Sequence, residues 1–234
     1  MCIEAHSKDE LLLQLAATDI AVPLATEGRT KEDRERWSVL RLLATLAQCE
    51  QLTYPLQARP GDSPDYVVSV PGGTIGIEVT DAVPRDWARA NACREEQGYE
   101  EPVMLERFTP GEALRTREEI EEIAQGKNTG SIWAGNSVEE QFAEVMLHFS
   151  LKKKEVFWKP DFKKYDSNWL IIYKDWPLPC LIEPLGAKYF SQRLSQLPKP
   201  LPFEKVFIEC WKTFWEFSHG SFTPLQINDV WNDR

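Results

Sequence analysis

Histidine is scarce in this chain. His6, His148 and His219 are the three among 234 residues, and no HExxH spacing occurs. A histidine-built zinc protease or a His-driven nucleophilic triad has little to work with. The five cysteines, Cys2, Cys49, Cys93, Cys180 and Cys210, are scattered with no CxxC pair. That argues against a zinc site or a disulfide framework and fits reduced thiols in a cytoplasmic protein. Neither GxGxxG nor GxxxxGK[ST] is present, which removes the usual dinucleotide and P-loop signatures. No apolar run reaches about 18 residues. The opening MCIEAHSKDE lacks a basic stretch followed by an apolar one, so neither secretion nor a membrane partner is expected. Positive charge is also short: 27 Lys and Arg face 37 Asp and Glu, a net charge of −10. Such a balance gives no long-range attraction to phosphate backbones. It counts against a general nucleic-acid coat and leaves open a local basic patch or a metal-lined cleft.

What is abundant is aromatic. Nine Trp and eleven Phe direct core or interface packing toward rings, and sixteen Pro imply many punctuated connections. The length suits one large domain, or one domain with an insertion. Residues 9–20 read as a short amphipathic helix. Thr30 and Asp33 form a capping-box pair ahead of a helix over about 31–49, whose Trp37, Leu40, Leu43, Ala44 and Ala47 share helical spacing. Glu32, Asp33 and Glu35 fall in its first turns, where acids suit the helix dipole. Residues 52–58 read as a short strand or as extended chain broken by Pro55. Helices are expected over 85–96 and 112–124, and a loop over 126–136. The clearest helix runs from Ser137, with Glu140 completing a capping box, to about Trp158. Val138, Phe142, Val145, Phe149 and Val156 make its apolar stripe, and Lys152 and Lys153 follow Phe149 along it. WLIIY (169–173) reads as a strand buried on both faces. A helix over 185–197, a strand over 205–210 and a hairpin partner over 213–217 follow, and the tail after His219 reads as irregular. This order implies an α/β fold with a mixed sheet and helices on its faces.

The informative stretch is PDYVVSVPGGTIGIEVTD, Pro64 to Asp81. Two apolar runs flank Gly72-Gly73, a strong hairpin signal. With those glycines as the turn, Val70 faces Ile75, Val68 faces Ile77, Tyr66 faces Val79 and Asp65 faces Thr80. Alternation then puts Tyr66, Val68, Val70, Ile75, Ile77 and Val79 on one apolar face. Asp65, Val67, Ser69, Gly76, Glu78 and Thr80 share the other, with Glu78 diagonal to Asp65. Two carboxylates about 6 Å apart repel by about 3 kcal/mol at an effective dielectric of about 20. Water must screen them, one must take a proton, or a cation must sit between them. Oxygen donors of this kind suit Mg²⁺ or Mn²⁺. A solvated edge hairpin accounts for the same pattern, so both readings stand at this point.

PD followed by a hairpin and IEVT resembles the PD-(D/E)xK, or restriction-endonuclease-like, nuclease superfamily. Within it the chain looks most like bacterial proteins with a (I/V)GIEVT-type strand, a W-x-G stretch before a Lys-bearing helix, and a strand of the LLIYD kind. The matching pieces are Pro64-Asp65, Gly76 to Thr80, Trp133-Ala134-Gly135, Lys152 to Lys154 and WLIIYKD at 169–175. The resemblance implies an α-β-β-β-α-β core in a three-layer α-β-α sandwich. It would span residues 30–218, with a helical insertion at about 84–130, an N-terminal helical extension at 1–29 and a tail at 219–234. It implies Mg²⁺ or Mn²⁺ on Asp65 and Glu78, with an acid from the first helix. Glu35 is the choice for that acid, and Glu32 and Asp33 compete with it. The superfamily's motif Lys is replaced here by Thr80, so the resemblance implies a Lys from a neighbouring helix, with Lys153 chosen and Lys152 behind it. Thr80 would hydrogen-bond a metal water or fill the missing side chain's space. The implied activity is phosphodiester hydrolysis of DNA or RNA. The alternative is a catalytically inactive domain of the same fold that binds a protein or nucleic acid, and a protein partner or homo-oligomer fits the aromatic load.

Overall fold

Pro71 and Gly72, not Gly72 and Gly73, make the central turn. The computed structural model describes residues 2–23, 27–100, 103, 108–109, 111–126, 134–176 and 178–231. In it, β3 (Tyr66–Val70) pairs antiparallel with β4 (Gly73–Asp81), and Val70 lies opposite Gly73. Proline's fixed φ suits the first central position of the turn, and Gly72, at φ 95°, supplies the positive φ needed at the second. The observed pairs are Val68 with Ile75 and Tyr66 with Ile77, two residues away from the expected register. A slip of two keeps every side chain on its expected face, whereas a slip of one would have inverted them all. Tyr66, Val68, Ile77 and Val79 accordingly lie in the core.

The hairpin sits inside an eight-stranded mixed sheet in sequential order. β1 (Ile3–Ala5) and β2 (Leu56–Pro60) precede it, each antiparallel to its neighbour. β5 (Ser167–Tyr173) runs parallel to β6 (Lys205–Glu209), and β7 (Thr213–Ser218) and β8 (Ser221–Gln226) close the order as antiparallel strands. Trp169 to Ile172 are all buried, as a continuous apolar run in an interior strand requires. β8 corrects the expectation of an irregular tail. His219 and Gly220 both take positive φ, which makes a two-residue hairpin turn that matches the strand twist. Pro224 is tolerated because β8 is the last strand. β1 was also not foreseen; three residues carry too little alternation to stand out.

Six helices accompany the sheet among the described residues. α1 (Lys8–Ala17) and α2 (Lys31–Gln48) put Leu11, Leu15, Leu40, Leu43 and Ala47 into one apolar cluster with the core face of β3 and β4. The Thr30–Asp33 capping box forms as expected. α3 (Arg85–Gln97) and α4 (Arg117–Ala124) follow β4, then α5 (Ser137–Phe157) and α6 (Glu183–Ser195). The Ser137 hydroxyl accepts from the Ala134 N–H, so it braces the preceding turn and does not play the expected part toward Glu140. Trp133 lies outside the described residues.

By internal contacts the chain divides into two units: Met1–Thr80, Ser150–Tyr173 and Leu197–Arg234, and Asp81–Phe149 with Lys174–Gln196. The first holds the sheet, α1, α2 and the last turns of α5. In the second, Asp86 on α3 accepts from Arg89 at 2.7 Å and from the Arg115 N–H at 2.9 Å, and the Glu139 carboxylate accepts the Ile182 N–H at 2.9 Å.

Within the first unit, Gly76 marks a close approach on the polar face of the hairpin. A Cβ there would stand 2.8 Å from both Pro64 Cγ and Tyr165 Cδ2. Gly76→Ala is therefore expected to destabilise the fold by about 1–3 kcal/mol through overpacking. Urea unfolding monitored by circular dichroism measures this, and an unchanged midpoint would contradict it.

Candidate active site

Asp65 is held at the mouth of the hairpin from two sides. The turn joining β2 to β3 closes with the Gly61 N–H donating to the Asp65 carbonyl at 2.8 Å. The Asp65 side chain then reaches across to β4, where Oδ2 accepts the Val79 N–H at 2.7 Å. Counting one step past the Tyr66–Ile77 pair brings Asp65 level with Glu78, closer than the diagonal expected from sequence. Both acids are buried, at 3% and 5% exposure.

Each carboxylate meets an ammonium group. Lys153, on the last turns of α5, donates to Glu78 Oε1 at 2.6 Å. Lys31, the first residue of α2, donates to Asp65 Oδ1 at 2.8 Å and also pairs with Glu35 one turn along its helix. Glu35 is buried, whereas Glu32 is exposed and Asp33 is engaged in the helix cap. Of the three candidate helix acids, the structure thus brings Glu35 alone to Asp65. It also separates the two candidate lysines: Lys153 reaches Glu78 and Lys152 stays exposed. Thr80, half-buried, follows Glu78 on the same face of β4.

Lys31 escaped the sequence reading. Its spacing to Glu35 is a signal for an ion pair along one helix. The third member, Asp65, is 34 residues away and joins through tertiary packing alone.

The electrostatics record a surplus of negative charge, three carboxylates against two ammonium groups. Burial pushes the Glu35 carboxyl up to about 7; Lys31 offsets part of that, and the Asp65 charge adds to it. Burial likewise raises Glu78, against the pull of Lys153 and with a further push from Asp65. Burial works against the charge on Lys31, but its bonds to Asp65 and Glu35 outweigh that and raise its pKa. Glu78 Oε2 is buried with no hydrogen-bond partner among the described residues. A buried carboxylate oxygen without a donor forgoes about 1–3 kcal/mol.

A hard divalent cation would fit this donor set. The donors are carboxylate oxygens, as Mg²⁺ and Mn²⁺ prefer, one of them lacks a partner, and the local charge is negative. Yet among the described residues no three His, Cys, Asp or Glu side chains converge as a ready-made metal cage. The ammonium groups of Lys31 and Lys153 hold the places beside the acids. The Lys31 side chain remains 60% exposed while it pairs with Asp65 and Glu35. No helix among the described residues is long and apolar enough to cross a membrane, and no disulfide links the cysteines. Compared with protein-family models, curated proteins and solved structures, the chain matches none.

The raised Glu35 carboxyl fixes the sign of a pH effect in protein treated with a chelator. Between the ordinary value of 4.5 and about 7, folded Glu35 keeps a proton that the unfolded chain has lost. Raising the pH through that window therefore lowers stability. The melting temperature should fall from about pH 5 to about pH 8, and Glu35→Gln should flatten that slope. Parallel slopes for the two proteins would contradict the assignment.

Proposed function

We propose that the chain is a divalent-metal-dependent nuclease that hydrolyses phosphodiester bonds in DNA or RNA, built on a restriction-endonuclease-like three-layer core. One observation carries the reading: the Lys153 ammonium lies 2.6 Å from Glu78 while Asp65 is tied to the β4 backbone beside it. This juxtaposes the acid, acid and amine that the superfamily's chemistry needs, with the amine supplied by a helix because Thr80 occupies the motif position. The succession α2, β2, β3, β4, α5, β5 also follows the α-β-β-β-α-β order of that core, with α3 and α4 inserted after the third strand.

Asp65 and Glu78, with Glu35, would hold Mg²⁺ or Mn²⁺, which supplies a Lewis acid to neutralise phosphate charge and acidify water. The residues divide the remaining work. The Val79 N–H fixes the Asp65 carboxylate, so its free lone pairs keep one orientation. Lys153 keeps a positive charge at the Glu78 carboxylate and offers donors to the extra negative charge that builds on a phosphoryl group under attack. Lys31 neutralises Asp65 and Glu35, the acids that would hold the cation together with Glu78. Thr80 presents a hydroxyl on the Glu78 face.

A second reading rests on the same contacts. Each acid already has a lysine partner, which would equally stabilise a catalytically inactive domain of this fold serving to bind a protein or nucleic acid. The two readings part on activity. Wild-type protein with Mg²⁺ or Mn²⁺ should cleave single- or double-stranded DNA or RNA, and Asp65→Asn and Glu78→Gln should each lower the rate by at least about a hundredfold while keeping the fold. Cleavage that survives both substitutions would sink the nuclease assignment, and absence of cleavage on every substrate would favour the binding domain.

A further inference from the structure

The chain's positive charge is unevenly placed. Between Lys152 and Lys164 stand six lysines and two acids, Glu155 and Asp161, in a protein of net charge −10. Aromatic rings interleave this stretch. Trp158 follows the last turn of α5 and is 61% exposed, although indole is a costly group to leave in water. It is held in position: its ring packs edge-on against Phe157, with centroids 5.2 Å apart, and Lys164 Nζ lies 4.4 Å from its own ring centroid. Lys163 Nζ sits 5.0 Å from the Tyr165 ring. Among the described residues neither Lys163 nor Lys164 forms an ion pair with a carboxylate, and both lie over rings.

A groove opens beside them. Its cavity, about 450 Å³, is lined by Arg59, Lys163, Tyr165 and Val67, with two acids, Asp62 and Asp161, also in its wall. Arg59 and Lys163 are both exposed at this groove. Its floor includes Val67, which shares a sheet face with Glu78, and its wall includes Pro64, the residue before Asp65. The groove therefore lies on the polar face of the hairpin, the face that also carries Glu78. Lysine and arginine near a lined cleft track phosphates, and rings at its rim take up unpaired bases by stacking. A duplex would keep its bases stacked inside and make no use of Trp158.

We propose that this groove and the Trp158 rim bind an unpaired nucleic-acid strand, with Arg59, Lys163 and Lys164 on its phosphates and Trp158 and Tyr165 against its bases. The proposal names the substrate form for the nuclease reading and rests on it only for cleavage; binding stands independently. The excess of positive charge lies in the 152–164 stretch beside the groove, six lysines against two acids, whereas the groove lining itself balances Arg59 and Lys163 with Asp62 and Asp161.

The test separates binding from catalysis by working in a chelator. Fluorescence anisotropy is measured with labelled oligonucleotides about 12 nucleotides long, single-stranded DNA, single-stranded RNA and duplex DNA, with heparin as a base-free polyanion competitor. Wild-type protein should bind an unpaired strand more tightly than duplex, with its tryptophan fluorescence quenched. Trp158→Ala should weaken this by about tenfold, as should the pair Lys163→Glu and Lys164→Glu, and raising salt should weaken the wild type most. Which of the DNA and RNA strands binds identifies the sugar. Binding that is equal for duplex, or unaffected by Trp158→Ala, or fully displaced by stoichiometric heparin, would overturn the proposal, as would no binding at low salt. All three substituted residues are exposed, and unchanged circular dichroism checks the fold. Strand binding without metal-dependent cleavage would leave this inference standing and remove the nuclease reading.

Discussion

Three buried carboxylates sharing two lysines is the constraint on which the rest depends. Asp65, Glu78 and Glu35 come from a turn, a strand and a helix, and none could be buried as an anion alone. Lys31 and Lys153 make that burial possible, and each ties a helix to the hairpin: α2 through Asp65, α5 through Glu78. Buried ion pairs gain little net stability once desolvation is counted. The cluster is electrostatically expensive and short of one positive charge, and Glu78 Oε2 has no hydrogen-bond partner among the described residues, features that support the proposal of a site.

The geometry follows from backbone chemistry laid down in a short stretch. Pro71 and Gly72 fix the turn, the turn fixes the register, and the register sets Glu78 level with Asp65. The absence of a side chain at Gly76 lets Pro64 and Tyr165 close over the same face. Those contacts bring the loop after α5, with its lysines and rings, alongside the acids. The same polar face thus carries the charged cluster at one end and the groove at the other.

Much of this was legible in the sequence because the hairpin is a local object. The period-2 alternation assigned the faces correctly even though Gly72-Gly73 was the wrong turn pair, since a two-residue slip preserves parity. The capping box at Thr30 and Asp33 fixed the start of α2, and the run WLIIY announced an interior strand. What could not be read were relations made by packing. Lys31 meets Asp65 across 34 residues of chain, a contact no local pattern encodes. β8 was obscured by His219-Gly220, a weaker turn signal than Asn-Gly, and by Pro224 inside the strand. Trp158 falls two residues past Val156, off the apolar stripe of α5, and it is exposed.

The proposal stands or falls on whether Asp65 and Glu78, with Glu35, would take up a divalent cation beside Lys31 and Lys153. Titration calorimetry with Mn²⁺ tests this without any substrate. The account predicts saturable binding to the wild-type protein, lost in Glu78→Gln, and tighter when Lys31→Met removes the resident ammonium group. Absence of binding to both wild type and the Lys31 variant, with the fold intact, would contradict it.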